Sequence, residues 1–235
     1  MSRCLGVDGA GSGWLAVWRQ GSELGWKRYE DAESLWLSNI DASVIAVDIP
    51  IGLEDGSARA TDRLARAFVG GKRASSVFAA PMRPALNAAN RLEAQTIQRQ
   101  LGGMGVAAQA FAIYPKIRQW DHLLRGDANA RACVHEIHPE VSFAAMRGGF
   151  GQGIVAPKRT LEGQEIRLAL LAKYFGPKRV ERLRAAIPKR IAAIDDVHDA
   201  LAALWSAERI ASGTAQSLPD PPRVDSLGLR MAIWY

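Results

Sequence analysis

Over the first 50 residues, apolar and polar positions fall into short blocks that predict strands. Residues 4–8, 13–19 and 24–30 are three such blocks, and polar and apolar positions alternate in part along the third. Gly9-Ala10-Gly11-Ser12-Gly13 separates the first two, short and glycine-rich as a hairpin turn requires. Asp31 to Trp36 predicts a short helix. Residues 44–48 are an apolar run closed by Asp48, the pattern of a strand buried on both faces.

The texture changes between 52 and about 130. Helical pieces such as 59–69 are broken by Gly70-Gly71, Pro81, Pro84 and Gly102-Gly103, which predicts a helical insertion packed over one end of the sheet. Strand character returns at 133–137, and Pro139 opens a short helix. A long helical stretch covers 161–187, interrupted at Gly176-Pro177, and an alanine-rich helix follows from 195 to 212. Pro219, Pro221 and Pro222 read as a connector to a last strand at 229–235. The whole predicts one α/β domain over residues 1–235, a mixed sheet flanked by helices with the insertion after the fourth strand.

Aspartates end two of the strands, Asp8 and Asp48, and Asp195, Asp196 and Asp199 open the alanine-rich helix. An ionised carboxylate at the end of a buried strand costs desolvation energy unless a cation compensates it. Three such segments therefore suggest carboxylates converging on a divalent metal. Asp8 also suits a turn-initiating role, since Asp-Gly is a common turn dipeptide. Asp195 or Asp196 can cap the helix, but capping explains Asp199 less well. The face of Asp199 continues through Ala200, Ala203 and Ala207, small enough to bring the helix close to a sheet. Glu136 is a further acid at a strand end. Glu140 is read as a first-turn dipole residue and His198 as a surface side chain. His135 and His138 lack the spacing of a zinc helix motif.

Basic residues supply a second pattern. Arg59, Arg63 and Arg66 recur at helical spacing, and Gly70-Gly71-Lys72-Arg73-Ala74-Ser75-Ser76 follows. A glycine turn, Lys72, Arg73 and the hydroxyls of Ser75 and Ser76 could together hold a phosphate, although the Walker pattern is absent. Lys116 and Lys158 are lone lysines beside prolines. The 30 Lys+Arg against 24 Asp+Glu give a net charge of +6, which shifts the expectation toward a polyanionic partner. No apolar run approaches the roughly 20 residues of a membrane span. The first strand begins almost at once, leaving no room for a signal peptide. A cytoplasmic protein is expected, and its two cysteines read as small hydrophobes.

Several motifs resemble the family called domain of unknown function 429. They are Val47-Asp48-Ile49-Pro50-Ile51-Gly52-Leu53, Ser75-Ser76-Val77-Phe78-Ala79-Ala80-Pro81, Pro115-Lys116-Ile117, His135 to Phe143, Asp195 to Ala200 and Gly228-Leu229-Arg230-Met231. The family is described as predicted nucleases with an RNase H-like fold. The resemblance implies an RNase H-like mixed five-stranded sheet flanked by helices, in which three antiparallel strands and a helix precede a fourth strand parallel to the first. It further implies metal binding by Asp8, Asp48 and Asp196 or Asp199, with Mg²⁺ or Mn²⁺ activating water against a phosphodiester of RNA or DNA. Asp8, Asp48 and Asp199 are the expected ligands, with Asp196 and Glu136 as secondary catalytic acids. Arg59, Arg63, Lys72, Arg73, Ser75, Ser76 and Lys116 are the expected substrate-binding residues. The acid that RNase H carries on its first helix has no clear counterpart between 31 and 37. Glu33 is nearest, so either Glu136 substitutes or the site holds one metal. Two rival readings are nucleotide phosphotransfer of the actin-like ATPase type, which Gly6 to Gly11 loosely resembles, and a non-catalytic nucleic-acid-binding module.

Overall fold

The computed structural model describes residues 3–235. Strands β1 (Arg3–Ala10), β2 (Gly13–Gln20) and β3 (Glu23–Tyr29) form an antiparallel meander. Asp31 then caps α1 (Ala32–Leu37), its Oδ1 accepting from the Ser34 amide at 2.7 Å. Next, β4 (Ala42–Val47) runs parallel to β1. The segment up to residue 133 contains α2 (Ala60–Val69), a 3₁₀ turn at Gly71–Ser76, α3 (Arg91–Gln100), α4 (Ala108–Ala112), α5 (Tyr114–Gly126) and α6 (Ala128–Cys133). It leads into β5 (Val134–Glu136), parallel to β4. The sheet order is β3-β2-β1-β4-β5, the mixed five-stranded arrangement that the RNase H-like resemblance implied.

Beyond the sheet come α7 (Pro139–Met146), α8 (Leu161–Phe175), α9 (Pro177–Ala186) and α10 (Ile194–Ala211). The proline-rich stretch is not a connector: Ser217–Val224 forms β6, which pairs antiparallel with β7 (Arg230–Trp234) in a separate two-stranded sheet. Prolines are tolerated there because the pairing skips from Leu218 to Arg223, so they donate nothing to the ladder. Among the described residues, no helix is long and apolar enough to cross a membrane.

Strand alternation divides the core between the two sheet faces. Leu5, Val7, Ile45 and Val47 pack with Leu35, Ile117 and Trp120 on one side. On the other, Leu15 and Val17 pack with Phe143, Leu171, Ala200 and Leu204, while Val44 and Ala46 meet Ala203 and Ala207. Gly6 lies under α10, where an added Cβ would stand 2.2 Å from the Ala200 carbonyl oxygen and 2.0 Å from the Leu204 amide nitrogen. Glycine on β1 and alanines on α10 thus let helix and sheet approach almost backbone to backbone. Asp8 is two residues beyond Gly6 and Asp48 two beyond Ala46, so both carboxylates face α10.

Candidate metal centre

Three elements deliver three carboxylates to one place. The parallel pairing puts Val7 beside Val47, and the Asp48 amide donates to the Val7 carbonyl at 3.0 Å, so Asp8, inside β1 rather than at its end, lies beside Asp48, just past β4. The close approach of α10 brings Asp199 over them. Asp8 and Asp199 are buried, and Asp48 is half-buried. Burial pushes the Asp8 carboxyl well above its ordinary range, and the charges of Asp48 and Asp199 push it further. Asp48 is pushed up to about 8 by burial and then by Asp199. Asp199 reaches about 6 through burial, with Lys158 pulling the other way.

Lys158 is the cation at the centre of this group. Its Nζ donates to Asp199 Oδ2 at 2.6 Å and stands 3.7 Å from Asp195 Oδ2. Burial opposes its charge, but Asp199, Asp8 and Asp48 together raise its pKa well above the ordinary lysine value. Among the described residues, no hydrogen-bond donor reaches the carboxylates of Asp8 or Asp48, and Lys158 is the donor that reaches Asp199. Also among the described residues, no three His, Cys, Asp or Glu side chains are gathered as a ready metal cage. The donor chemistry nonetheless fits a hard divalent cation: acidic oxygens, poorly supplied with donors, repel one another where Asp8 and Asp199 are buried and Asp48 half-buried.

The remaining expected residues divide. Asp196 accepts from the Ala193 amide at 2.9 Å at the start of α10, one half of a capping box since Ala193 has no side-chain acceptor, and its charge is felt at Asp8. Its capping role is therefore structural, at the edge of the group. Glu136 requires a correction. It pairs with Val47, so strand alternation turns it to the opposite face from Asp8 and Asp48. There Arg59 donates to Oε1 at 2.7 Å and to Oε2 at 2.9 Å, and the Ile51 amide adds 2.8 Å to Oε2. Burial pushes the Glu136 carboxyl up, and Arg59 opposes that rise. With both oxygens committed, Glu136 leaves the ligand set.

Arg59 is corrected with it. The guanidinium is buried, donates to Asp62 Oδ1 at 2.6 Å and to the carbonyls of Ile51 and Gly52, and presents nothing to a substrate. Arg63 and Lys72, in contrast, are exposed. Ser75 and Ser76 bond back to the Lys72 and Arg73 carbonyls within the 3₁₀ turn, which fixes the loop's shape. Arg73 donates to Glu140 Oε1 at 2.7 Å, so it is a braced cation at the rim. Lys116 donates to the Gly13 carbonyl and lies 4.5 Å over the Trp14 ring, while the charge of Asp8 is felt at its ammonium. Glu33 opens instead onto a cleft of about 410 Å³ lined by Trp36, His122 and Asp127, between α1 and α5.

Sequence reasoning passed over Lys158, Glu140 and Arg167. Glu140 is buried and receives Arg167 at 2.7 and 2.9 Å as well as Arg73, far more than a helix-dipole role. The signal for Arg167 lay in its spacing: Gly163, Arg167, Leu171 and Phe175 form one buried stripe of α8 at intervals of four. Lys158 carried no such pattern. His198 is fully buried rather than on the surface, and burial, with Arg184 and Arg167 nearby, lowers its pKa to about 4.

The family model described as Protein of unknown function (DUF429) matches residues 6–224. The chain belongs to this family. No curated protein and no solved structure matches it. The DUF429 match includes Asp8, Asp48, Lys158 and Asp199.

Proposed function

We propose that this DUF429 protein is a divalent-metal-dependent nuclease that hydrolyses phosphodiester bonds in RNA or DNA, with Mg²⁺ or Mn²⁺ held by Asp8, Asp48 and Asp199. One observation carries the reading: Asp8 and Asp48 bring carboxylates together that no donor among the described residues satisfies. Such a group is costly unless a cation joins it. A bound divalent ion supplies Lewis-acid polarisation of a phosphoryl oxygen and a water of lowered pKa.

The chain's own residues do the rest. Asp8 offers oxygens from within β1 and Asp48 from just past β4, and Asp199 is held in place by Lys158. Lys116, whose ammonium feels the charge of Asp8, is the cation suited to a backbone phosphate beside the acids, and exposed Arg63 and Lys72, with Arg73 braced on Glu140, are further phosphate contacts in this reading. The net charge of +6 favours encounter with such a polyanion. The reading takes the protein to be cytoplasmic, among nucleic acids and free divalent ions.

The test is cleavage of labelled RNA, DNA and hybrid substrates with Mn²⁺ by wild type, Asp8→Asn and Asp48→Asn. Loss of about 10³-fold in both variants is expected, since the ion's contribution is several kcal/mol. Equal residual activity in all three proteins would mean a contaminant and overturn the proposal.

A further inference from the structure

Lys158 is held too firmly to be a wandering surface side chain. Its preceding segment enters the core through Ile154 and Ala156. Arg167 donates to the Ala156 carbonyl at 3.3 Å, and the Thr160 hydroxyl donates to the Pro157 carbonyl at 2.8 Å. Gly163 of α8 packs beneath, where a Cβ would stand 2.0 Å from the Pro157 oxygen. The backbone on both sides of Lys158 is thus fixed, and the ammonium is delivered to Asp199 and Asp195.

We propose that Lys158 is a resident cation standing where a second metal would otherwise bind, so that the site accepts one divalent ion. This rests on the reading of Asp8, Asp48 and Asp199 as metal ligands. Electrostatics support it: the ammonium already compensates Asp199 and Asp195 from the place a second ion would take, and a divalent ion brought beside it would meet like charge at contact distance. Geometry agrees, because the Asp199 oxygen nearest the lysine already carries a 2.6 Å charge-assisted hydrogen bond.

The experiment is calorimetric titration of the full chain with Mn²⁺ alone, supported by Mn²⁺ electron paramagnetic resonance, for wild type, Lys158→Met and Lys158→Arg. One ion is expected in wild type and in Lys158→Arg. Lys158→Met is expected to bind a second ion or to bind Mn²⁺ at least ten-fold more tightly. Unchanged or weaker binding by Lys158→Met would overturn the resident-cation role while leaving a metal-binding wild type, and hence the proposed function, intact. Mn²⁺ binding that appears only in Lys158→Met would support the resident cation and contradict metal use by the natural protein. Absence of binding in every protein would overturn both. If Lys158→Met folds only with Mn²⁺ present, the lysine is confirmed as a cation substitute; if it stays unfolded with Mn²⁺, the proposal fails.

Discussion

Two acid clusters sit near the same end of the sheet, one on each face, and they are built in opposite ways. In the Arg59 cluster, every carboxylate oxygen of Glu136 and Asp62 has a donor. Arg59 reaches both residues, and the amides of Ile51 and Ala80 complete them. On the α10 face, Asp8, Asp48 and Asp199 share the Lys158 ammonium, which among them hydrogen-bonds only Asp199, while the Lys116 ammonium feels Asp8 without a hydrogen bond to it. Asp8 and Asp199 are as buried as Glu136 and Asp62, so what differs for them is compensation. A guanidinium satisfies two acids in a fixed geometry, whereas the lysine leaves the second group short of positive charge. The first arrangement is architecture, and the second is suited to receiving a cation.

The largest effect should come from breaking the satisfied cluster. Arg59→Met leaves Glu136 and Asp62 buried without their cation, and unfolding should cost about 3–5 kcal/mol less. Chemical denaturation checks this, and a loss below about 1 kcal/mol would show that the cluster is not the structural one.

The opposite sign is expected on the α10 face. Asp48→Asn replaces an acid that must take up a proton to be buried at pH 7, so the metal-free protein should gain on the order of 1 kcal/mol at that pH, measured as a melting temperature higher by a few degrees. The carboxyl of Asp48 ionises at about 8 in the fold and near 4 when unfolded. Between those values the native state binds more protons, so metal-free wild type should lose stability as pH rises from about 4 to about 8 and level off above. Asp48→Asn should flatten that profile. A wild type that gains stability over the same range would contradict the picture of an under-compensated cluster.

The smallest effect belongs to the rim. Lys72→Ala should leave stability within about 0.5 kcal/mol of wild type. It should weaken nucleic-acid binding across sequences and reduce the salt slope by about one. A slope that does not change would place the phosphate contacts elsewhere.

The strands and the main helices were legible because hydrophobic alternation and glycine punctuation are local signals. The small-residue face of α10 was legible too, and it is what carries Asp199 to Asp8. Parity was harder. Asp48 and Glu136 both end strands, yet their faces depend on the register of β4 against β5, which pairs Val47 with Glu136. Arg59 and Arg63 shared a helical pattern, but one is buried and the other exposed, because the pattern does not say which face meets the sheet. Lys158 was invisible for a plainer reason: its role depends on carboxylates some 40 to 150 positions away in the chain.

A crystal of the protein soaked in Mn²⁺ and examined by anomalous scattering decides whether Asp8 and Asp48 hold a cation together. A peak is expected about 2.2 Å from oxygens of both Asp8 and Asp48, the distance of a hard cation on carboxylates. Empty density between those residues in a saturated crystal, with Lys158 still on Asp199, would contradict it.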